Sequence, residues 1–411
     1  MNTLETTLDP PQSVEASDRS FWVVTLLVSG TCIGGGMLAL PVQTATTGFL
    51  WSIAALCACW AFMTYTGLLL VEATLWVKNE THFTSLSRIL VGNGTRVLAA
   101  VIYLFMNYLS LIAYTAGGAA LFQTQLSENL GISVSYGICC VLFTAVFGSM
   151  IYLGAILVGR INFLFMVGLG ICYFSLTSLS TSHVDFTRLM YTPSWRESLG
   201  VFSIILATFS YQMVVPSICL QLNYDAKKIK KAIILGTTIP FVIYSFWLFI
   251  VHGVVPIDGE NGLLDALSRG ASTTESLRAQ YDHWALTALS DLFGFFAVVT
   301  SYIGLSLALF YFLKDCFSEV NIRMSKNGII LTSILPTLAL AILFPGALVK
   351  CLDLSGAYGD TILSGLIPIA MVWMGRYHKN LSTEHRIPGG KIALFVAAGF
   401  YAFVLIWQLF L

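Results

Sequence analysis

The chain has 411 residues, of which 57% are hydrophobic and only 10% charged, and its 21 basic and 21 acidic residues cancel to no net charge. Soluble domains carry about 25% charged residues, so this composition excludes a soluble globular enzyme, and we expect no nucleic-acid partner. The mean hydropathy of +0.81 indicates an all-α polytopic membrane protein embedded in the lipid bilayer.

The amino-terminal stretch differs from the rest of the chain because it is polar. The only charges in residues 1–18 are acidic: Glu5, Asp9, Glu15 and Asp18. The stretch lacks the basic region and the small-residue cleavage site of a signal peptide. We therefore expect residues 1–19 to form a cytoplasmic tail and the first hydrophobic span to be retained.

Eleven hydrophobic stretches can each cross a bilayer, since about 20 apolar residues span its hydrocarbon core. Their expected bounds are 20–46, 49–77, 97–126, 133–155, 161–181, 198–223, 232–255, 284–313, 328–345, 352–374 and 392–411. With a cytoplasmic N-terminus, 16 of the 21 lysines and arginines lie inside and 5 outside, as the positive-inside rule requires. An odd number of spans then puts the C-terminus outside.

The first span is interrupted by three consecutive glycines, Gly34, Gly35 and Gly36, shortly before Pro41. An unwound turn at membrane depth is tolerated only where it is buried in protein or lines a cavity. A helix restarting at Met37 would present free amides to a carboxylate, and the carbonyls ending the first half would suit an ammonium group or a metal cation. An amino acid carries both groups. The alternative is a small-residue face that packs on a neighbouring helix.

The sixth span has a second interruption at residues 209–212, FSYQ, again followed by apolar residues and a proline, Pro216. Gly36 lies five residues before Pro41, and Tyr211 lies five residues before Pro216. Because the two spans run in opposite directions, the pattern predicts a 5+5 inverted repeat with helices 1 and 6 broken. The repeats would be residues 20–181 and 198–374, and residues 392–411 would be an additional helix.

Other classes of membrane protein fit less well. The cysteines lie mostly inside apolar spans without metal-site spacing, so we expect neither a metal nor a cofactor. A membrane enzyme would need a motif such as H-E-x-x-H or G-x-S-x-G, and the sequence contains neither. A transporter-like amino acid sensor remains a remote alternative, but the sequence offers only a short tail for signalling.

The sequences around both interruptions resemble the bacterial hydroxy/aromatic amino acid permease family, which includes the tyrosine-specific and tryptophan permeases. The motif G-x-x-I-G-x-G-M-L-A-L-P at 30–41 carries the resemblance, together with VPSI at 215–218, residues 227–240 and TSYIG at 300–304. The resemblance covers nearly the whole chain. The family is similar to the amino acid/polyamine/organocation superfamily, which implies a LeuT-type fold with 11 transmembrane helices.

The resemblance also implies a function: import of an aromatic amino acid, with tyrosine as the expected substrate, by proton symport across the bacterial inner membrane. Sodium coupling or a broader amino acid specificity is the alternative. One residue departs from the family pattern, because Gln212 stands where several enteric members have a histidine. This departure puts in doubt a coupling scheme based on a histidine at that position.

Twelve residues at the interruptions and on the third span are candidates for binding the substrate. They are Thr31, Ile33, Gly34, Gly35, Gly36, Met37, Asn107, Tyr114, Phe209, Ser210, Tyr211 and Gln212. Aromatic residues at a break can pack against an aromatic substrate, and the Tyr114 hydroxyl could reach its carboxylate. The alternative for Tyr114 and Asn107 is hydrogen bonding and packing between helices.

Three residues of the eighth span are candidates for the coupling ion. Asp291 is the acid that lies most clearly within a span, and intramembrane acids often relay protons. The hydroxyls of Thr300 and Ser301 could hold a sodium ion beside the first break, or they could bond back to their own helix. We expect Glu72 and Asp360 to lie near span ends, where they can reach the membrane interface.

Overall fold

The computed structural model describes residues 12–78, 82–191, 199–281, 283–319, 321–383 and 385–410. Within these ranges every regular element is helical. Most of the predicted tail, residues 1–11, lies outside the described part. The first helix already begins at Gln12, earlier than the expected start at residue 20.

The described residues form seventeen α-helices with short 3₁₀ and π-helical segments between some of them. Their bounds are α1 Gln12–Cys32, α2 Gly36–Thr44, α3 Gly48–Trp76, α4 Phe83–Leu90, α5 Asn93–Leu130, α6 Tyr136–Phe143, α7 Gly154–Ser180, α8 Phe202–Thr208, α9 Val215–Gln221, α10 Ala226–Val254, α11 Leu263–Arg269, α12 Thr273–Arg278, α13 Trp284–Glu319, α14 Lys326–Leu343, α15 Ala347–Leu354, α16 Ile367–Tyr377 and α17 Gly390–Trp407.

Nine helical segments in the described ranges are long and apolar enough to cross a bilayer. Two of them are long enough for two crossings of about 20 residues each: Gly36–Trp76 has 41 residues and Tyr136–His183 has 48. The backbone leaves the helical conformation inside each, with φ of 70° at Gly48 and 80° at Gly154. The chain is therefore a multi-pass membrane protein, as its composition predicts, and the number of eleven crossings stays a prediction.

The first predicted interruption is present between α1 and α2. Gly34 and Gly35 still accept hydrogen bonds of a tight, 3₁₀-like turn, from the amides of Met37 and Leu38, both at 3.0 Å. The glycines are needed for space rather than for unusual backbone angles, since Gly35 has an ordinary φ of −59°. A Cβ built on Gly35 would lie 2.3 Å from the Tyr114 ring.

Helix α10 supports both sides of this first break. The Tyr244 hydroxyl donates to the carbonyl of Cys32 at 2.6 Å, and the Trp247 indole N–H donates to the carbonyl of Met37 at 2.9 Å. One turn earlier in α1, the Ser29 hydroxyl donates to the Gly236 carbonyl at 2.9 Å. The Cys32 carbonyl lacks a helical partner because α1 ends there. The Met37 and Gly236 carbonyls lack theirs because Pro41 and Pro240, four residues later, have no N–H.

The second predicted interruption is present between α8 and α9. Helix α8 ends at Thr208, and regular α-helix resumes at Val215 after a 3₁₀ turn at Gln212–Val214. Pro216 lies in the first turn of α9, where its missing N–H costs no hydrogen bond. The proline thus marks a helix start rather than a kink.

A buried ion pair connects α3 and α16. Arg376 donates two hydrogen bonds to Glu72, at 2.7 and 2.6 Å, and a third to the Ile387 carbonyl at 2.8 Å. The Ile387 amide donates to Glu72 at 2.6 Å. Glu72 is 1% exposed, so the expectation that it reaches the interface was wrong: its partner lies 304 residues away in the sequence.

Candidate functional site

A cavity of about 390 Å³ lies where the two broken helices meet α5, α7 and α13. This volume is within the range of sites for small molecules, about 300–1,000 Å³. The lining combines backbone at the breaks with apolar and polar side chains. Its residues are Gly30, Thr31, Cys32, Ile33, Gly34, Gly36, Tyr103, Met106, Asn107, Ser110, Tyr114, Asn162, Met166, Ala207, Thr208, Ser210, Met213, Val214, Thr300, Ser301, Gly304, Leu305, Ala308, Leu352, Ser355 and Asp360.

The cavity brings together nine of the fifteen residues that the sequence singled out. These are Thr31, Ile33, Gly34, Gly36, Asn107, Tyr114, Ser210, Thr300 and Ser301. They come from four elements that are far apart in the chain, namely the two breaks, α5 and α13. Residues of both breaks thus line one cavity, and their role in binding a substrate stays a prediction.

The amides at the start of α2 already have acceptors. The Gly35 N–H donates to the Ser301 hydroxyl oxygen at 2.8 Å, and the Met37 N–H donates to the Gly34 carbonyl. Met37 itself is 1% exposed and does not line the cavity. Two of the amides expected to be free where the helix restarts, those of Gly35 and Met37, therefore already have acceptors, the first a side chain and the second the backbone.

Three residues of the second break point away from the cavity. Phe209 packs edge-on against Tyr244. The Tyr211 hydroxyl donates to the Met63 carbonyl in α3 at 3.1 Å, and the Gln212 amide donates to the same oxygen at 3.3 Å. All three are buried, so in this conformation they hold the break against α3 and α10, and their contact with a substrate stays a prediction.

The match to a family model decides what kind of protein this is. The model of the tryptophan/tyrosine permease family matches residues 17–408. The chain belongs to this family. It is therefore a permease and not an enzyme.

Curated relatives of the permease resemble it over most of their length. Tyrosine-specific transport system 1 of Haemophilus influenzae is 28% identical over 90% of this chain and 92% of its own. The low affinity tryptophan permease of Escherichia coli is 28% identical over 88% of each chain. The tryptophan-specific transport protein of Haemophilus influenzae is 25% identical over 90% of each.

Two asparagine side chains leave hydrogen-bond acceptors unpaired in the cavity of the permease. The Asn107 side-chain N–H donates to the Tyr103 carbonyl at 2.8 Å, so the side-chain oxygen of Asn107 does not take part in this bond. The Asn107 oxygen and the Asn162 oxygen are both buried without a hydrogen-bond partner among the residues that the structure describes. Leaving a buried acceptor unpaired costs about 1–3 kcal/mol, so both oxygens are suited to a donor on a ligand.

The hydroxyls predicted to bind a cation have other partners. Thr300 bonds back to the Phe296 carbonyl at 2.7 Å, which is the alternative foreseen for it. Ser301 accepts from Gly35, as described above, and its oxygen also lies 2.5 Å from a Cβ built on Gly34. Ser301 therefore bridges α13 to the first break, and cation binding by the pair stays a prediction.

Asp291 lies outside the main cavity. It lines a smaller cavity of about 50 Å³ under α12 and is ion-paired with Arg278, with 3.7 Å between Arg278 Nε and Asp291 Oδ2. Its side chain is 19% exposed. A fixed cation thus faces the acid that the sequence favoured as proton carrier.

Asp360 is the functional candidate that the sequence reasoning missed. It was expected at the start of a span, but α15 begins at Ala347 and the helical segment continues to Tyr377, which puts Asp360 near the middle. The residue is 1% exposed and lines the main cavity. The expectation that it reaches the membrane interface was wrong, because the start of this span was set too late.

Proposed function

We propose that the permease imports an aromatic amino acid, with tyrosine as its substrate, by proton symport through alternating access. The observation that carries the proposal is the cavity between the two helix breaks, in a chain of the tryptophan/tyrosine permease family. Relatives at 28% identity are named for tyrosine and for tryptophan transport. Both substrates are aromatic amino acids, so the ring is the shared feature that this cavity would accommodate.

The substrate carboxylate belongs at the first break in this proposal. There it would replace the Ser301 oxygen as the acceptor of the Gly35 N–H, near the Tyr114 ring. The start of α2 adds the positive end of a helix dipole. The ammonium group would face the carbonyl end of α8 beside Ser210, with Thr31 and Ile33 closing the same side.

The aromatic ring would then extend between α5 and α7. Tyr103 and Met166 line this part of the cavity, and both provide surfaces on which an aromatic ring packs well. The unpaired oxygens of Asn107 and Asn162 would accept the phenol O–H of tyrosine. A site that offers buried acceptors disfavours an analogue without the donor, so phenylalanine should bind less tightly.

The proposed architecture is a LeuT-type bundle of eleven crossings with the N-terminus in the cytoplasm. Its support is the presence of a break in both the first and the sixth predicted span, together with the backbone turns at Gly48 and Gly154. In that orientation α11 and α12 lie outside. They pack on α2, where the Thr273 hydroxyl donates to the Leu38 carbonyl at 2.6 Å, and so cover the outer end of the site.

Sodium coupling is the second candidate, because Thr300 and Ser301 lie at the cavity beside the first break. Uptake of radiolabelled tyrosine into proteoliposomes separates the two proposals. A pH gradient should drive accumulation in the absence of sodium, and excess tryptophan should compete while small aliphatic amino acids should not. Accumulation that follows sodium and ignores pH would establish the sodium alternative, and competition by all amino acids would refute aromatic specificity.

A further inference from the structure

Asp360 occupies an unusual backbone segment at the centre of the permease. The π-helical segment Ser355–Leu366 has 12 residues and lies between α15 and α16. π-helical turns are rare and short, and they frequently mark functional sites. This segment packs against α5, α8 and α17 and carries Asp360 into the cavity wall.

The surroundings of Asp360 contain hydroxyls but no balancing cation. The Ser364 hydroxyl donates to its carboxylate at 3.0 Å, and the Ser210 hydroxyl of the second break also faces it. The other titratable groups that face it are Cys32 of α1, Tyr114 of α5 and Tyr401 of α17. Within the described part of the chain, Asp360 forms no ion pair with lysine, arginine or histidine.

Two acids of the spans each face a fixed cation, because Arg376 pairs with Glu72 and Arg278 pairs with Asp291. Asp353, like Asp360, accepts hydrogen bonds from neutral side chains, those of Ser203 and, at 3.1 Å, Gln408, but it does not line the cavity. A buried carboxylate that is charged and unpaired is costly. Asp360 therefore needs a mobile positive charge, and at this depth a proton can supply it.

We infer that Asp360 is the proton carrier of the symport. Its carboxylate takes a proton from water on the outer side, which forms one O–H bond, and returns that proton to water on the inner side; no bond of the substrate changes. The carrier is linked to the substrate by position, because Asp360 and Ser210 both line the cavity in which the amino acid is placed. This inference rests on the proposed function and replaces Asp291 by Asp360 as the coupling acid.

The test uses the full-length permease in proteoliposomes with radiolabelled tyrosine and an internal pH dye. In the unmodified permease, an imposed gradient of about one pH unit should drive about tenfold accumulation of tyrosine at 1:1 coupling. Asp360→Asn should keep counterflow exchange but show no uphill accumulation under the same gradient. Proton uptake on adding tyrosine should disappear as well. Asp360→Glu should restore part of both signals.

The matched control is Asp353→Asn, which changes the other acid of the same span outside the cavity and should keep uphill accumulation. Uphill accumulation by Asp360→Asn, or its loss in Asp291→Asn alone, would overturn the inference. Loss of tyrosine binding and exchange in Asp360→Asn, in a variant that elutes as a monodisperse protein, would overturn it too and make Asp360 a substrate ligand. If the unmodified permease shows no tyrosine uptake driven by a pH gradient, it is the proposed function that fails.

Discussion

Replacing Gly35 by alanine tests whether the first break is built around close packing on Tyr114. The added Cβ would lie 2.3 Å from one ring carbon and 2.9 Å from the next, whereas ordinary contacts begin near 3.4 Å. The Tyr114 ring must therefore retreat by about 1 Å. Tyr114 is 7% exposed and has little room to move. Overpacking of this kind costs about 1–3 kcal/mol.

The expected result for Gly35→Ala is weaker tyrosine binding by about 5- to 150-fold, since 1.4 kcal/mol corresponds to a factor of ten. Equilibrium binding of radiolabelled tyrosine to purified protein measures it. Gly30→Ala is the matched control, because Gly30 lines the cavity beside the first break and a Cβ there meets nothing within 4 Å. In a Tyr114→Ala background the additional loss from Gly35→Ala should nearly vanish. Unchanged affinity of Gly35→Ala would refute the packing argument, as would an equal loss in Gly30→Ala.

Three other substitutions test separate parts of the structure. Tyr211→Phe should lower the thermal unfolding temperature in detergent, because it removes a hydrogen bond to Met63 that contributes about 1 kcal/mol. The preference among aromatic substrates should stay unchanged, and a changed preference would show that Tyr211 contacts the substrate directly. Glu72→Gln should lower the free energy of unfolding by about 3–5 kcal/mol, because it leaves Arg376 buried without its charged partner. Glu319→Gln, at an exposed pair with Arg96, should lower it by about 1 kcal/mol or less. Equal unfolding temperatures of the two variants would contradict this. Asn107→Leu should reduce the preference for tyrosine over phenylalanine by about 2- to 13-fold in uptake competition, the value of one hydrogen bond, and a preserved preference would remove Asn107 from the ring site.

The positions of the two helix breaks could be predicted from the sequence because their causes are local. Three glycines in an apolar span, and a polar aromatic stretch followed by a proline, act on the backbone where they occur. The detailed form of the breaks could not be predicted. Gly35 requires the absence of a Cβ because of Tyr114, which reaches it from another helix 79 positions later in the chain.

The buried acids were harder to place because their environments depend on distant residues. Hydropathy could not show that α15 begins at Ala347 or that the backbone widens into π-helix around Asp360. It also could not show that Arg376 lies against Glu72. Asp291 stood out in the sequence because apolar residues surround it, but its facing partner, Arg278, comes from the end of α12. Pairing between remote segments decides which acid has a fixed countercharge.

The hydrogen bonds that α10 makes to the first break restrict how the permease can move. Tyr244 and Trp247 connect α10 to both sides of the break, so α1 and α2 cannot move relative to each other without losing buried hydrogen bonds. A hydroxyl pair between Thr64 and Thr237, at 2.9 Å, fastens α3 to the same unit. We expect these helices to rotate as one rigid body against the wall formed by α5, α7 and α13. Because the bond from Gly35 to Ser301 crosses the boundary between the two parts, we expect it to break once in each turnover.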